Sequence, residues 1–393
     1  MSGIAVVHDY FTQQGGAERV AEQLARMFPS SDVYTTVALD KKLPPGISAT
    51  KLRTSWMQRL PGLEGMYRLY FPLYPLGVDS LDLSKYELVL SSSSGYAKGV
   101  RTGTSSLHVC YCHTPMRWVW RYQDYAQRER FGVPKRLILP LLLDGLKNWD
   151  LNASRQPDQY VANSRIVAER IYECYKRDAV VIPPPIDVHR FNISSRQDDY
   201  YLVLSRLVPY KRIDLAIQAC NLLQRRLFII GDGTDRKRLE SLASKTVRFL
   251  GRLSDQETAT YAQECRALIF PGEEDFGMVP LELAAAGRPS IAFRAGGATE
   301  TVIAGTTGVF FDEPTAQSLV NAITEFECMR WIPSKIRAHA TLFDVTTFHE
   351  RFKALLRSLG VSAELLNMAA QSAEIPSPSS DLRHDEPQLV AYQ

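Results

Sequence analysis

The sequence predicts an α/β protein built from two doubly wound, Rossmann-like domains that face a central cleft. Its 393 residues exceed what one ordinary hydrophobic core requires, so the length favours two domains. Short apolar, β-branched runs alternate with helical patterns along most of the chain, which is typical of βα units around parallel sheets. The prolines of 183–185 and the polar stretch 192–199 interrupt this alternation and suit an interdomain connection, which places the boundary near residue 195.

Each half of the chain carries its own series of predicted strands. In the first half they are predicted at 4–8, 33–37, 88–91, 108–111, 160–162 and 180–182. In the second half they are predicted at 201–205, 227–230, 247–250, 267–270, 290–293 and 308–311. We therefore expect an N-terminal domain at 1–195 and a C-terminal domain at 196–344. A helical segment at 345–370 is expected to return to the N-terminal domain, and the Ser- and Pro-rich tail 371–393 is expected to be disordered.

Composition excludes several classes of function. With 45% hydrophobic and 23% charged residues, the chain is typical of a soluble globular enzyme. A net charge of +3 does not imply an extended nucleic-acid surface, so no nucleic-acid partner is expected. The six cysteines lack paired CxxC spacing and favour reduced thiols over disulfides or zinc ligands. Neither a signal peptide nor a span of roughly 20 apolar residues stands out, so we expect a cytoplasmic protein, with the inner face of the cell membrane as a further location.

The segment after strand 267–270 places two carboxylates at one edge of a predicted sheet. The strand runs into the glycine-flanked loop 271–277 and then into a helix whose first turn suits Pro280. Glu274 then lies on the loop and Glu282 about one turn into the helix, both facing the crevice where open α/β sheets bind ligands. Carboxylates accept hydrogen bonds from hydroxyls, and the helix start offers N–H groups to phosphate, so a nucleotide sugar fits this edge. The alternative is a solvated acidic loop with Glu282 at an exposed helix position.

Positive charge for a diphosphate is predicted directly after the first strand of the second half. Arg206 and Lys211 follow that strand at a strand-to-helix turn on the same sheet edge, where a guanidinium and an ammonium suit two phosphates. Cations are unfavourable at a helix N-terminus, so their presence indicates a bound anion. The alternative is simply a basic helix start.

Three further loops leave predicted strands at the same edges. They present Gly15 and Gly16, then His113 and Arg117, then Gly296, Gly297 and Glu300. Paired glycines let a backbone approach a ligand closely, and a histidine at the carboxyl end of a strand favours a catalytic over a structural role. A plain turn accounts equally well for 295–301. The dinucleotide fingerprint is excluded at 231–236, because Arg236 stands where a glycine is required.

Taken together, these motifs resemble glycosyltransferase family 4, the retaining enzymes with the GT-B fold. Glu274 and Glu282 match the family's E-x7-E motif, and the resemblance covers about residues 3–355. The stretches HTPMRWVW, PGEEDFGMVPLE and GGATETVIAGTTGVFF are similar to bacterial mannosyltransferases of O-antigen and exopolysaccharide assembly. The resemblance implies transfer of mannose from GDP-mannose to a saccharide or lipid-linked acceptor, with the acceptor on the N-terminal domain and the nucleotide sugar on the C-terminal one.

The resemblance also implies roles for individual residues. His113 would lie near the anomeric centre, and Glu274 would contact hydroxyls of the transferred sugar. Arg206 and Lys211 would bind the diphosphate and stabilise it as it leaves, and Glu282 would contact the ribose. The catalytic residues would thus be His113, Arg206, Lys211 and Glu274. The other donor-binding residues would be Gly15, Gly16, Phe276, Gly277, Gly296, Gly297 and Glu300, and the acceptor side would carry Arg117 and Trp118.

No metal ion or other cofactor is expected. The sequence has no Asp-x-Asp motif in a suitable context, and Arg206 and Lys211 supply the charge that Mg²⁺ would otherwise bring.

The segment 51–76 is the candidate for contact with a membrane. It carries four cations against one glutamate, with five aromatic residues interleaved, which suits an anionic lipid surface. The stretch 134–143 is a second candidate. The alternative is that both are core helices whose long basic side chains reach solvent.

Other functions stay open at this stage. One is a GT-B glucosyltransferase that uses a UDP or ADP sugar, and another is a nucleotide-sugar epimerase. A third is a sensor that binds a nucleotide sugar without turning it over.

Overall fold

The computed structural model describes residues 3–120 and 133–371, which form two α/β domains. The described strands of the N-terminal domain are β1 (Ile4–His8), β2 (Asp32–Thr35), β3 (Leu52–Thr54), β4 (Asp82–Leu83), β5 (Leu88–Ser93), β6 (Arg101–Thr102), β7 (Leu107–Cys112), β8 (Gln159–Ala162) and β9 (Ala179–Val181). Seven of them form one parallel sheet in the order β3-β2-β1-β5-β7-β8-β9, and β4 pairs with β6.

The C-terminal domain contributes a second parallel sheet. Its described strands are β10 (Tyr201–Leu204), β11 (Leu227–Ile230), β12 (Val247–Gly251), β13 (Ala267–Phe270), β14 (Ser290–Phe293) and β15 (Gly308–Phe311). They lie in the order β12-β11-β10-β13-β14-β15. The doubly wound α/β fold expected from the sequence is therefore confirmed.

Helices connect most of the strands. The described helices before the linker are α1 (Gly16–Met27), α2 (Leu63–Met66), α3 (Tyr74–Asp79), α4 (Arg117–Trp120), α5 (Val133–Ala153) and α6 (Arg165–Tyr175). Those after it are α7 (Ile213–Leu223), α8 (Arg236–Leu242), α9 (Asp255–Glu264), α10 (Met278–Ala285), α11 (Ala298–Thr301), α12 (Ala316–Glu327), α13 (Pro333–Thr341), α14 (Val345–Ser358) and α15 (Ala363–Gln371).

The first strand shows how the sequence builds these sheets. All five residues of β1 are buried, as expected for a parallel strand that is covered on both faces. Ile4 and Val6 pack into one core cluster, together with Leu24 of α1, and Ala5 and Val7 pack into another on the opposite face. Successive side chains of a strand point to opposite faces, so one apolar run supplies both cores.

The end of the described chain packs against the N-terminal domain. Phe348 and Phe352 of α14 lie in the same core cluster as Ile4 of β1. Ile336 of α13 lies instead in a core cluster of the C-terminal domain. The chain therefore crosses between the domains once before β10 and once between α13 and α14.

The segment 51–76 differs from the alternative of core helices, and its contact with a membrane stays a prediction. The sequence pattern does not predict a strand there, but β3 pairs with β2 at the edge of the N-terminal sheet. The helices α2 and α3 have only four and six residues, so the segment is not formed by core helices. Its apolar residues are instead distributed between a core cluster and the surface.

Two other predicted segments, the stretch 134–143 and the tail 371–393, lie at the edges of the described residues. The basic and apolar stretch 134–143 lies near the start of α5. The predicted tail 371–393 lies outside the described residues apart from Gln371, which ends α15. None of the described helices is long and apolar enough to cross a membrane.

The order of the strands positions the site. The chain starts each sheet near its middle and reverses the direction of strand addition between β1 and β5 and between β10 and β13. Ligands of doubly wound sheets bind beside such a reversal, at the carboxyl ends of the strands. The loops that follow these four strands, and the loop after β7 beside them, are where the cleft residues lie.

Candidate active site

Lys211 and Glu274 lie together at the carboxyl edge of the C-terminal sheet. Lys211 ends the helical turn Pro209–Lys211 after β10, and Glu274 lies in the loop 271–277 after β13. The Lys211 ammonium and the Glu274 carboxylate form an ion pair, and both side chains are mostly buried. Gly272 permits this approach, because a Cβ there would lie 2.8 Å from the Lys211 Cα. Two residues with different predicted roles are thus neighbours at one point of the cleft.

Arg206 reaches across the cleft from the same loop. Its guanidinium donates to Gln13 Oε1 of the N-terminal domain at 3.1 Å and to the Tyr210 hydroxyl at 3.3 Å. The side chain is exposed, so its positive charge faces the space between the domains. Arg206 and Lys211 therefore place two cations on one loop, as the sequence pattern predicts.

Glu282 is buried on α10 and pairs with arginines. Arg19 of α1 donates to Glu282 Oε1 at 2.5 Å, and a guanidinium nitrogen of Arg190 lies 3.8 Å from the same oxygen. The negative charge of Glu282 raises the pKa of Arg19, against the opposing effect of burial. The exposed helix position considered for Glu282 is therefore excluded, and its contact with a ribose stays a prediction.

Two helices begin close together at the cleft. Gly15 and Gly16 open α1, and Gly277, with a φ of 84°, precedes α10. A Cβ on Gly16 would lie 2.9 Å from the sulfur of Met278, the first residue of α10. A glycine at this position therefore allows the two helix starts to approach, and helix starts present N–H groups that favour phosphate oxygens.

Asp275 ties the loop 271–277 to the N-terminal domain. Its carboxylate forms ion pairs with Arg117 and Arg170, and its carbonyl accepts a 2.7 Å hydrogen bond from Ser164 Oγ. Arg117 therefore contacts the loop that carries Glu274, and its predicted role on the acceptor side stays untested. The sequence pattern did not indicate Arg170, which lies in α6 and not in a loop that leaves a strand.

Trp118 belongs to an aromatic cluster of the N-terminal domain. Its ring packs edge-on against Phe71, with 5.4 Å between centroids, and lies 6.3 Å from the ring of Tyr96. Phe71 comes from the segment 51–76, so Trp118 links the cleft to that segment.

The glycines after β14 serve a close contact between two loops. Gly296 has a φ of 62°, and a Cβ on it would overlap the backbone of Glu274. A Cβ on Gly297 would overlap the backbone of Phe276, and the Gly297 N–H donates to the Glu274 carbonyl at 2.8 Å. The close approach predicted for these glycines is thus made to the loop that carries Glu274. Direct contact of these residues with a donor stays a prediction.

Glu300 points toward the N-terminal domain. Its carboxylate accepts hydrogen bonds from the backbone N–H groups of Arg165 at 3.0 Å and Ile166 at 3.4 Å. These are the first residues of α6, whose positive end favours a negative charge. Glu300 therefore contributes a contact between the domains that the sequence pattern does not reveal.

His113 lies at the carboxyl end of β7 and is buried. Its Nε2 is 2.8 Å from Ser92 Oγ, and its carbonyl accepts a 3.0 Å hydrogen bond from Asn163 Nδ2. Burial lowers the pKa of His113 to about 3, and the neighbouring His8 acts in the same direction. His113 is therefore neutral at pH 7 and acts through hydrogen bonds rather than through charge.

Asp9 is a site residue that sequence reasoning misses. Its buried carboxylate accepts hydrogen bonds from the backbone N–H groups of Ser94 at 2.6 Å, Tyr96 at 2.8 Å and Ala97 at 2.6 Å. It thereby holds the serine-rich loop after β5 against the end of β1. Its position directly after the first strand is the signal that could have identified it.

The described residues offer neither a disulfide nor a metal-binding cluster. None of the six cysteines is in a disulfide, and four of them are buried. No group of His, Cys, Asp or Glu within residues 3–120 and 133–371 is arranged to hold a metal ion.

Comparisons with known proteins agree with this geometry. The model described as "Glycosyltransferase Family 4" matches residues 14–190, and that described as "Glycosyl transferases group 1" matches residues 186–340. The two matches follow one another along the chain and meet at the linker between the domains.

Curated relatives that match this chain are themselves glycosyltransferases. One is an uncharacterized glycosyltransferase of Methanocaldococcus jannaschii, 31% identical over 180 residues, which cover 44% of this chain and 50% of the relative. Another is the GDP-mannose-dependent alpha-(1-6)-phosphatidylinositol monomannoside mannosyltransferase of Mycolicibacterium smegmatis, 29% identical over 192 residues, 41% of this chain and 50% of the relative. The chain thus spans about half the length of these two curated relatives.

A solved structure shows the same fold over nearly the whole chain. The Anabaena protein Alr3699/HepE, in complex with UDP, aligns with a TM-score of 0.66 and 18% identity, covering 91% of this chain and all of that one. The motifs, the two family models and the fold lead to one conclusion: the chain belongs to glycosyltransferase family 4 and has the GT-B fold.

Proposed function

We propose that this chain transfers a hexosyl group from a nucleotide sugar to a saccharide acceptor with retention of anomeric configuration. The observation that carries the proposal is the Lys211–Glu274 pair beside the strand reversal of the C-terminal sheet, with Arg206 on the same loop. Cations bind phosphates and carboxylates accept hydrogen bonds from hydroxyls, so this arrangement supports a ligand that contains both. A nucleotide sugar is such a ligand.

The surroundings of His113 support a reaction centre between the domains. Asn163 donates to the His113 carbonyl, and the next residue, Ser164, donates to the Asp275 carbonyl. His113 is therefore connected to the loop of Glu274 through two adjacent residues. A sugar held by that loop would have its anomeric carbon close to the N-terminal domain, where the acceptor is proposed to bind.

The main requirement of the proposed reaction is to stabilise the negative charge of the leaving group. As the bond to the anomeric carbon breaks, negative charge grows on the departing diphosphate, and positive charge develops on the sugar ring. Lys211 and Arg206 would stabilise that negative charge as the acceptor hydroxyl attacks the same face. These two cations would take the part that Mg²⁺ plays in other transferases, so we propose turnover without a metal ion.

We propose GDP-mannose as the donor, in the assembly of a bacterial surface polysaccharide. The motif resemblance supports this choice, and so does the relative from Mycolicibacterium smegmatis, whose name states that it depends on GDP-mannose. The second candidate is a UDP sugar, favoured by the Anabaena structure, which was solved with UDP.

A donor screen in the presence of EDTA tests these proposals together. A donor at about one hundred times its Kd stabilises a protein by about 2.7 kcal/mol, so GDP-mannose is expected to raise the Tm more than UDP-glucose or ADP-glucose. Release of GDP and transfer of radiolabelled mannose are expected under the same conditions.

Each outcome of the screen separates the alternatives. Transfer that is lost in EDTA and restored by Mg²⁺ or Mn²⁺ would contradict metal-independent turnover. Transfer from a UDP or ADP sugar alone would show that GDP-mannose is not the donor. An epimerised nucleotide sugar would identify an epimerase. Binding without transfer or hydrolysis of any donor would leave only the sensor.

We further propose that the segment 51–76 holds the enzyme against an anionic membrane that carries a lipid-linked acceptor. Leu69 and Leu76 are 64% and 58% exposed, and Trp56 is also exposed, although each is a residue that favours a non-aqueous environment. The Trp56 indole N–H lies 3.5 Å from the Leu76 carbonyl, so these two residues form one surface. Exposed apolar residues beside arginines are typical of surfaces that lie in the headgroup region of a bilayer.

The double variant Leu69→Ser/Leu76→Ser is expected to bind anionic phospholipid vesicles about tenfold or more weakly. Burial of one leucine side chain contributes about 1.5–3 kcal/mol, so loss of two exceeds this factor even with partial insertion. Leu222→Ser is the matched control, because Leu222 is 66% exposed on α7 of the C-terminal domain. Sedimentation with vesicles measures the effect, and equal binding by all three proteins would contradict this membrane contact.

A further inference from the structure

A buried chain of polar side chains leads from α1 to His113. Glu18 lies in the first turn of α1, His8 ends β1 and Ser92 lies in β5. His8 Nε2 is 3.9 Å from Glu18 Oε1, His8 Nδ1 is 3.1 Å from Ser92 Oγ, and Ser92 Oγ is 2.8 Å from His113 Nε2. All four residues are buried. The chain crosses the point where the N-terminal sheet reverses its strand order.

The first link fixes the proton of His8. Its Nδ1 lies 3.1 Å from the backbone carbonyl of Ser92 as well as from the Ser92 hydroxyl. A carbonyl oxygen can only accept, so Nδ1 of His8 carries a hydrogen and donates it. The Ser92 oxygen lies on the same side of that N–H and accepts from it too.

The second link fixes the proton of His113. Because Ser92 Oγ lies beside an N–H donor, its own hydrogen is left to point toward another acceptor. The acceptor within reach is His113 Nε2 at 2.8 Å. A neutral imidazole carries one N–H, so accepting at Nε2 leaves the proton of His113 on Nδ1.

The opposite nitrogen of His113 is the one available to a ligand. Among the described residues, Nδ1 has no hydrogen-bond partner, whereas Nε2 is held by Ser92. The low pKa of His113 keeps the ring neutral, so that the distinction between its two nitrogens persists at pH 7. A neutral ring with a defined tautomer offers one donor in one direction.

Glu18 and Phe11 hold His8 from its other sides. The ring of Phe11 lies 4.8 Å from that of His8, between centroids. Glu18 places one carboxylate oxygen near His8 Nε2, and its other oxygen, Oε2, is buried without a hydrogen-bond partner among the described residues. Such a carboxylate is costly to bury unless a neighbouring group uses it. The Glu18 carboxylate thus lies beside Nε2 of His8, on the side of the ring away from Ser92.

We propose that His8 and Ser92 are positioning residues that hold His113 in the tautomer protonated at Nδ1, from which it donates a hydrogen bond to a substrate hydroxyl in the cleft. The substrate being a sugar rests on the proposed function, whereas the tautomer rests on the geometry alone. His8 and Ser92 touch no substrate in this scheme and act only through the ring of His113.

Nitrogen-15 NMR of the ligand-free protein tests the tautomer without any assay of activity. The ring nitrogens of His113, assigned by their loss in His113→Asn, are expected to show an unprotonated Nε2 and a protonated Nδ1. In Ser92→Ala the ring is expected to shift toward a mixture of both tautomers. A protonated Nε2 in the unsubstituted protein would overturn the proposal, even if every nucleotide sugar failed to react.

Amide replacements test the use of that tautomer in turnover. An asparagine amide nitrogen lies where Nδ1 of histidine lies, and a glutamine amide nitrogen lies near the position of Nε2. His113→Asn is therefore expected to keep a kcat about tenfold or more above that of His113→Gln, the size expected for one hydrogen bond. Equal kcat values for the two variants, in proteins of equal Tm and nucleotide affinity, would overturn the role of Nδ1.

The same comparison at His8 isolates the positioning role. His8→Asn keeps a donor toward Ser92 and is expected to retain more of the kcat than His8→Gln, with KM for the donor little changed in both. If His8→Gln unfolds, its nitrogen-15 spectrum and Tm will show it, and the comparison of His8→Asn with Ser92→Ala takes its place. A kcat for His8→Asn as low as that for Ser92→Ala would contradict the positioning role.

Discussion

Lys211→Ala is expected to lower kcat by a factor on the order of a hundred or more. Its ammonium lies at the strand reversal beside Arg206 and is only 11% exposed, so its charge is weakly screened by water. A positive charge that is already positioned where the leaving group becomes negative stabilises the transition state and accelerates the reaction by a factor of this order. Glu274→Ala is expected to cause a loss of similar size, because it removes the proposed hydroxyl acceptor and leaves Lys211 without its partner. Steady-state kinetics with the donor identified by the screen measures both.

The controls for this prediction are charge changes outside the cleft. Lys335 is exposed on α13 and Glu325 is exposed on α12, so Lys335→Ala and Glu325→Ala remove the same groups without touching the site. Both are expected to keep the kcat of the unsubstituted enzyme. If Lys211→Ala and Glu274→Ala also kept that kcat, the active site assigned here would be wrong.

Asp150→Ala is expected to destabilise the protein by about 3–5 kcal/mol, the cost of breaking a buried ion pair. The Asp150 carboxylate pairs with the ammonium of Lys98, and both side chains are almost fully buried. Asp150 also accepts hydrogen bonds from the indole of Trp120 at 2.7 Å and the hydroxyl of Tyr175 at 2.8 Å. Burial opposes the charge of Lys98, but the attraction of Asp150 raises the pKa of the ammonium above its ordinary value. Removal of the carboxylate leaves a buried cation and two unpaired donors.

Urea unfolding of Asp150→Ala and of the double variant Lys98→Met/Asp150→Leu checks the cause. The double variant removes both charges and fills their space with apolar groups, so it is expected to recover part of the lost stability. A single variant as stable as the unsubstituted protein would show that the pair is not closed in solution. Equal stability of the single and double variants would assign the loss to the hydrogen bonds of Trp120 and Tyr175.

The fold was predictable because its strands are continuous apolar runs. β1, β11 and β13 begin and end at the predicted residues, since both faces of each strand are buried and a polar residue, a glycine or a proline flanks each end. The strand β3 was not predicted, because it lacks a continuous apolar run. It is a three-residue edge strand with two exposed residues, so its sequence carries almost no apolar signal.

The candidate site was predictable where chemistry and strand ends coincide. Lys211, Glu274 and His113 all lie in the loops that leave strands at the sheet edge, and their residue types carry charge or form hydrogen bonds. Asp9 follows β1 directly, but its partners are backbone groups that are distant in sequence, and Glu18 lies inside α1 with a histidine as its neighbour. Such roles depend on three-dimensional pairing, which one sequence does not encode as a local pattern.

The ion pairs that the cleft forms without a ligand bear on how tightly the proposed donor would be held. Glu282 is already held by Arg19, and Lys211 by Glu274, before any donor enters. A nucleotide sugar that bound as proposed would exchange one set of polar contacts for another, and only the difference between the two sets would appear as affinity. When the nucleotide product leaves, the protein's own pairs re-form in its place. Under the proposed function, these pairs would therefore favour rapid release of the nucleotide product over its tight retention.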